Sequence, residues 1–141
     1  MNTVDDIARQ AKTHPGETSS LDAARRTVVT FLHAHDMPAA VQEWARLVVS
    51  ELATNAIQFS PGKAYTVGVE LTADRRTATI AVRSVGTPTD IPAEALPTSD
   101  ANGQLQSSGR GLTIVRAMSA SLDIVGHGDG TVSVIARRPA A

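Results

Sequence analysis

Two residues of the sequence, Glu51 and Asn55, are spaced so that they could act together in chemistry. They lie four positions apart in a segment with apolar residues at helical intervals, so both fall on one face of a helix. An asparagine amide oxygen is a hard ligand that suits Mg²⁺ held by phosphates and water. A carboxylate one turn away can orient and deprotonate an attacking hydroxyl or water. The alternative is a pair of solvated polar positions on an amphipathic helix.

A second candidate is the segment 108–112, SGRGL, directly before a helix predicted from Leu112 to about Ala120. Its two glycines let the backbone approach phosphate oxygens, and a helix start offers free N–H groups and the positive end of the helix dipole. Arg110 could add a charge-assisted contact. A simple glycine-containing helix start is the plainer interpretation. The segment is not a Walker loop, because the required lysine is missing.

Two longer helices are predicted from apolar spacing. The first runs through Arg25 to about His35, with Ser19 or Ser20 as its cap, and the second covers Ala39 to Phe59. The second helix carries Glu51 and Asn55. Nearer the amino terminus, Val4 to Ala11 could form a short helix.

Alternating apolar residues then predict two β-hairpins. The first has Tyr65 to Leu71 and Ala78 to Val82 as its strands; the second has Leu122 to Val125 and Thr131 to Ala136, turned by Gly128-Asp129-Gly130. The segment from Thr87 to Ser108, rich in proline and small polar residues, is predicted to be a long mobile loop, of a length that is often functional.

These elements predict an α/β (α+β) two-layer sandwich, with helices on one face of a mixed, mostly antiparallel sheet. One domain would cover 19–141, after an N-terminal segment of 1–18.

Composition excludes several classes of function. The chain has 141 residues, a formal net charge of −1, and no cysteine. Nucleic-acid binding is not expected, since the sequence has no run of lysines and arginines that would contact phosphates. Thiol catalysis and cysteine-based zinc sites are excluded. No apolar run is long enough for a membrane-spanning helix, and the first residues do not have the pattern of a signal peptide. We therefore expect no membrane association and a cytoplasmic location.

Two segments together resemble the nucleotide boxes of one superfamily. They are LVVSELATNAI at 47–57 and GRGLTIV at 109–115, and they are similar to those of the GHKL (histidine-kinase-like, Bergerat-fold) ATPases. The closer similarity is to small bacterial anti-sigma factors that are serine protein kinases, and to their actinobacterial relatives. The resemblance covers about residues 19–138, including the order of the helices and the position of the long loop.

This resemblance implies ATP and Mg²⁺ as ligands and assigns roles to individual residues. Glu51 would be the general base and Asn55 the magnesium ligand, while Arg25 on the first helix would contact a partner, or be an ordinary surface arginine. A lid would cover about residues 87–110. The implied ATP-binding residues are Glu51, Asn55, Ser84, Gly86, Gly109, Arg110, Gly111, Leu112 and Thr131, with Gly109 to Gly111 on the phosphate side and Thr131 near the adenine.

The middle box of the superfamily is altered in this sequence. Relatives have an aspartate that accepts a hydrogen bond from the adenine amino group, whereas Ser84 stands here, and Pro88 replaces a glycine. A serine hydroxyl is shorter and uncharged.

Two hypotheses of function follow. In the first, the protein is an ATP-dependent serine kinase that phosphorylates a STAS-type anti-anti-sigma partner and sequesters a sigma factor; the resemblance also allows a homodimer. In the second, the same fold makes weak or no use of ATP and acts by protein–protein contact. Glu51 and Asn55 favour the first hypothesis, and Ser84 and Pro88 favour the second.

Overall fold

The computed structural model describes residues 7–88 and 107–140, with side chains at all of these positions except 107–110. A five-stranded sheet lies against a layer of helices. Its strands are β1 (Ala8–His14), β2 (Tyr65–Leu71), β3 (Thr77–Val85), β4 (Ser121–Gly126) and β5 (Thr131–Pro139). The helices are α1 (Leu21–Ala34), α2 (Ala39–Phe59) and α3 (Ser107–Met118), with a 3₁₀ turn at Thr18–Ser20 before α1.

The strands are ordered β1-β2-β3-β5-β4, and each of these neighbouring pairs is antiparallel. In the central pair, Ser84 of β3 lies opposite Val132 of β5, and Val85 lies opposite Thr131. Because side chains alternate between the faces of a strand, this register decides which residues of β3 and β5 face the helices. The predicted fold class, an α+β sandwich with helices on one face of the sheet, is confirmed.

The core lies between the helices and one face of the sheet. Alternate residues of β2, β3 and β5 are buried there, as the period-two pattern predicts. They are Tyr65, Val67, Val69, Leu71, Ala78, Ile80, Val82, Val132, Val134 and Ala136. The apolar face predicted for α1 is buried against them; it consists of Ala24, Val28, Phe31 and Leu32.

Helix α2 begins and ends where the sequence predicts. Pro38 precedes it with φ −59°, a value that proline fixes, and Ser60 follows its last residue. Trp44 is almost fully buried, and its indole N–H donates to the Ser119 hydroxyl at 3.0 Å, just after α3. This bond and the apolar packing beneath it fix α3 against α2.

Two predictions about local structure were wrong, and a third held only in part. Residues 8–11, expected in a short helix, belong to strand β1, because all of Ala8–His14 pairs with Tyr65–Leu71. This pairing makes part of the expected N-terminal segment an edge strand of the domain's sheet. Ser20 occupies the N-cap position of α1, as predicted, but it makes no side-chain cap hydrogen bond; its hydroxyl donates to the Glu17 carbonyl at 2.7 Å and contacts the Tyr65 hydroxyl.

The third correction concerns α3. Its backbone is helical from Ser107, so Gly109, Arg110 and Gly111 lie within its first turns and not in a loop before it. Glycine has a low helix propensity, and for this reason the sequence pattern predicts a later helix start, at Leu112. Most of the predicted loop, residues 89–106, lies outside the described residues.

Candidate functional site

Helix α2 presents Glu51 and Asn55 on one face, as their spacing predicts. Glu51 is half-buried, whereas Asn55 is only 6% exposed and lies among the apolar residues of the core edge. The Asn55 side-chain nitrogen has no hydrogen-bond partner among the described residues. A buried amide without a partner costs free energy, on the order of 1–3 kcal/mol. A polar ligand at this position would remove that cost.

The carboxylate of Glu51 lies against α3 at Gly111. A Cβ built on Gly111 would stand 2.6 Å from Glu51 Oε2, far closer than two such atoms approach. Leu112 and Val115, on the inner side of α3, are fully buried and hold the helix in this position. The structure thus brings together Glu51 and Gly111, which are distant in sequence. Leu112 is a core residue in this arrangement.

Backbone N–H groups of the first turn of a helix have no partners within the helix and attract anions. In α3 this turn begins at Ser107 and contains Gly109 and Arg110. It lies directly before the residue that contacts Glu51. The side chain of Arg110 lies outside the described side chains, so its predicted phosphate contact stays a prediction. The backbone therefore places the first turn of α3 next to the residue that the Glu51 carboxylate approaches.

The far end of α2 meets the end of β3. The Ser60 hydroxyl donates a hydrogen bond to the carbonyl of Val85, so the helix terminus is tied to the strand beside Ser84. From Glu51 to Ser60 the axial rise is about 13 Å, at about 1.5 Å per residue. Glu51 and Ser84 therefore lie towards opposite ends of the carboxyl-terminal half of α2, and we call the region between them the candidate cleft. The sequence predicted Ser60 only as part of a helix stop, and no local pattern reveals its bond to β3.

Gly86 and Pro88 lead the chain away from β3 across the neighbouring strands. Gly86 has φ 144°, a value that side chains disfavour, and its N–H donates to the Gly130 carbonyl at 2.8 Å. Pro88 packs on β4, since a Cβ on Gly126 would stand 2.9 Å from Pro88 Cγ. This contact, absent from the sequence predictions, places a proline ring beside the Ser84 end of the cleft.

Thr131 does not join Ser84 in the cleft. Val132 is the residue opposite Ser84, so Val132 shares its face and Thr131 points to the other side of the sheet. There the Thr131 hydroxyl accepts from Arg83 Nε at 2.9 Å and donates to Asp129 at 2.5 Å. The Thr131 hydrogen bond is the main cause that lowers the pKa of Asp129 from its ordinary value, and Arg83 adds to it. The described position of Thr131 is that of a turn residue on the helix-free face.

Arg25 lies between α1 and α2. It donates to the Ser50 hydroxyl at 3.1 Å and pairs with Asp22. A groove of about 190 Å³ surrounds it, and Arg26 and Arg46 also line this groove. Ser50 immediately precedes Glu51 on α2, so this basic groove lies on the adjacent side of the helix that carries the candidate base.

Another concave region, about 400 Å³, lies on the helix-free face of the sheet and includes Arg9, Gly68 and Arg137. Its two arginines are paired, Arg9 with Glu70 at 3.4 Å and Arg137 with Asp123 at 2.9 Å. It is separated from Glu51 and Asn55 by the sheet. It holds neither residue, so it is not part of the candidate site.

A family model described as the histidine kinase-like ATPase domain matches residues 14–136. Among solved structures, the chain is similar to the crystal structure of the RsbU and RsbW domains of Rv1364c from Mycobacterium tuberculosis, with a TM-score of 0.67 and 14% identity. The alignment covers 94% of this chain and 32% of that one, so the chain spans about a third of its neighbour's length. At this identity the similarity concerns the fold. No curated protein matches the sequence.

Within residues 7–88 and 107–140, no helix combines the length and apolar character that crossing a bilayer demands.

Proposed function

The chain belongs to the histidine kinase-like ATPase domain family, and on that premise we propose that it binds Mg-ATP in the candidate cleft along α2 and acts as an anti-sigma-type serine kinase. The observation that carries this proposal is the meeting of Glu51 with Gly111 at the start of α3, one helical turn from the buried Asn55.

The residues of the cleft fit magnesium and phosphate. The amide of Asn55 is buried without a partner for its nitrogen, and an asparagine oxygen is a hard ligand of the type that Mg²⁺ takes alongside phosphate oxygens. Rotation of the amide about its last bond exchanges its oxygen and nitrogen, so either atom can face a ligand. The first turn of α3 offers N–H groups and a positive dipole end to phosphates. Bound Mg-ATP would supply the γ-phosphoryl group.

The dimensions of the cleft support an extended nucleotide. Its phosphate end would be at Glu51 and Gly111, and its other end at Ser84, near Ser60, which lies about 13 Å farther along α2 than Glu51 at about 1.5 Å per residue. An extended nucleoside triphosphate has a comparable length. In this arrangement the base would lie at the end of the cleft where the half-buried Ser84 stands.

Glu51 is the residue that we assign to the proton transfer. It would accept the proton of a serine hydroxyl while that oxygen forms a bond to the γ-phosphorus and the bond to the ADP leaving group breaks. Its carboxylate is half-buried and faces the helix start that would hold the phosphates. Asn55 would orient the metal, and α3 would stabilise the phosphate charge.

For partners we propose a STAS-type anti-anti-sigma protein that presents the serine, and a sigma factor that the chain sequesters. The basic groove with Arg25, Arg26 and Arg46 suits an acidic protein surface, and Arg25 is bonded to the residue next to Glu51. A partner bound there lies beside the phosphoryl end of the cleft. ATP and such partners are found together in the cytoplasm, where we place the protein.

A second function is favoured by a different observation. Ser84 gives the base end of the cleft no charged acceptor, and Pro88 packs there on Gly126. A domain that binds nucleotide weakly or not at all, and regulates by protein contact alone, would tolerate both features.

Calorimetric titration tests the proposed function. We expect the purified chain to bind Mg-ATP, and Asn55→Ala to lose affinity for Mg-ATP far more than for magnesium-free ATP. Gln58→Ala, an exposed position on the same helix, is the matched control and should bind as the parent does. Equal losses with and without magnesium would remove Asn55 from the metal site. No binding by the parent chain at millimolar Mg-ATP would overturn the kinase proposal and leave the protein-binding function.

A further inference from the structure

Trp44 lies on the same face of α2 as Glu51 and Asn55, since it precedes them by seven and eleven residues. The ring is 1% exposed, and its indole N–H donates to the Ser119 hydroxyl at 3.0 Å. Ser119 directly follows Met118, the last residue of α3. A buried indole N–H needs a hydrogen-bond partner, and here the partner comes from the far end of the helix that begins beside Glu51.

Helix α3 therefore runs antiparallel to α2 along this face. Its start lies against Glu51 at Gly111, and its end lies against Trp44 at Ser119. Along α2, Trp44 and Glu51 are about 10 Å apart, and along α3 Gly111 and Met118 are also about 10 Å apart, at about 1.5 Å per residue. The two contacts thus mark opposite ends of the interface between the helices.

These two ends are held by different kinds of contact. Near the start of α3, Leu112 and Val115 are fully buried, but apolar packing is non-directional and defines the position of a helix along its axis less sharply than a hydrogen bond does. At the end of α3, the bond from the indole to the hydroxyl has a defined length and direction. The next residue, Ala120, donates its N–H to the carbonyl of Arg137 at 2.7 Å, which ties the chain to the sheet and not to α2.

We propose that Ser119 is a positioning residue for phosphoryl transfer. By accepting the indole N–H of Trp44, it fixes α3 along α2 and so holds the backbone of Gly111 where the Glu51 carboxylate lies against it. Displacement of a reacting group by about 1 Å can lower a rate by about a hundredfold. This inference rests on the proposed function and adds to it a residue that acts on Glu51 through a helix.

Two substitutions of Ser119 test the inference. Ser119→Ala removes the acceptor, so kcat for phosphorylation of the STAS-type partner should fall about tenfold or more, whereas Ser119→Thr keeps the hydroxyl and should restore most of the parental kcat. The dissociation constant of Mg-ATP should change by less than about threefold in both variants, because binding sums several contacts and transfer needs the base within hydrogen-bond reach of the hydroxyl. Ser121→Ala, opposite Arg137 on the helix-free face of the sheet, is the matched control and should behave as the parent does. Parental kcat in a folded Ser119→Ala protein would overturn the inference and leave the proposed function intact.

A double-mutant cycle in kcat assigns the effect to the bond itself. Trp44→Phe keeps an aromatic ring but has no N–H to donate, so combining it with Ser119→Ala should lower kcat no further than the larger of the two single effects. Additive losses would show that the two residues act independently and would contradict the proposal. A thermal melt of each variant sets an assay temperature at which all are folded, so that lost stability is not counted as lost transfer. If the parent neither binds Mg-ATP nor transfers phosphate, the proposed function fails and this inference fails with it.

Discussion

Glu51 Oε2 lies where a side chain on Gly111 would begin, 2.6 Å from the Cβ that any other residue would place there. This close approach joins the middle of α2 to the start of α3, and it depends on a glycine. The contacting atom is the end of a flexible side chain, so a larger residue at position 111 would displace the carboxylate before it disturbed the helices. Position 111 therefore controls where the candidate base lies.

Replacing Gly111 by alanine should separate activity from stability. Alanine favours a helix over glycine by up to about 1 kcal/mol, so the melting temperature should stay the same or rise. The displaced Glu51 carboxylate should lower phosphoryl transfer by about tenfold or more, since transfer requires the base within hydrogen-bond reach of the hydroxyl. A thermal melt and a transfer assay with labelled ATP measure the two effects. Gly68→Ala is the control, because its nearest non-local atoms would be at 3.9 Å; full transfer by Gly111→Ala would show that the position of Glu51 is unimportant.

Glu51→Gln tests the general base more directly. The amide keeps the size of the carboxylate and its ability to hydrogen-bond, but it does not take a proton. We expect Mg-ATP affinity close to that of the parent and serine phosphorylation lower by roughly a hundredfold. Binding is measured by calorimetry and transfer by the appearance of phosphoserine on the STAS-type partner. Parental transfer rates in this variant would remove Glu51 from the mechanism.

Asn55→Leu should weaken function without weakening the fold. The amide is buried and its nitrogen has no partner among the described residues, so an apolar residue of the same branched shape removes an unsatisfied group. We expect the free energy of unfolding in urea to be unchanged or higher by about 1 kcal/mol, with Mg-ATP binding lost. A large loss of stability would indicate that the amide supports the fold. Gln58→Leu, on the exposed side of α2, should bind Mg-ATP normally.

His14 should make the stability of the domain depend on pH. The ring is 3% exposed, stacks on Tyr65 with centroids 5.6 Å apart, and its Nε2 has no described partner. Burial, and secondarily the charge of Lys12, hold the pKa of His14 below its ordinary value of 6.5. The unfolded chain therefore binds a proton more readily than the folded one, so the contribution of His14 is complete above about pH 6.5 and falls as the pH drops below it.

Urea unfolding between about pH 5 and 8 measures this dependence. Substitution by phenylalanine, His14→Phe, keeps the stacking and removes the titration, so the variant should lose less stability than the parent on acidification. His33→Gln, at an exposed position of α1, is the control and should follow the parent. Identical pH profiles for the parent and His14→Phe would show that the buried ring does not titrate in this range.

Much of the architecture was determined by local sequence patterns. The bounds of α2, the apolar face of α1 and the alternation in β2, β3 and β5 follow from periodicity, because these elements each bury one face in a common core. The spacing of Glu51 and Asn55 also fixes their shared helix face. Strand β1 could not be predicted this way. Its residues, ARQAKTH, carry no apolar alternation, and its structure comes from pairing with β2.

Only the tertiary structure decided how the cleft is assembled. Three contacts that build it join residues far apart in the chain, and local sequence patterns do not predict such contacts. They are the approach of Glu51 to Gly111, the hydrogen bond from Ser60 to Val85 and the packing of Pro88 on Gly126. Thr131 shows the same limit: its type suited the cleft, but the register of β5 against β3 turns its side chain to the opposite face. A one-residue difference along a strand reverses the face of a side chain. The sequence by itself thus determined which residues could do the chemistry, and the pairing of strands and helices decided which of them meet.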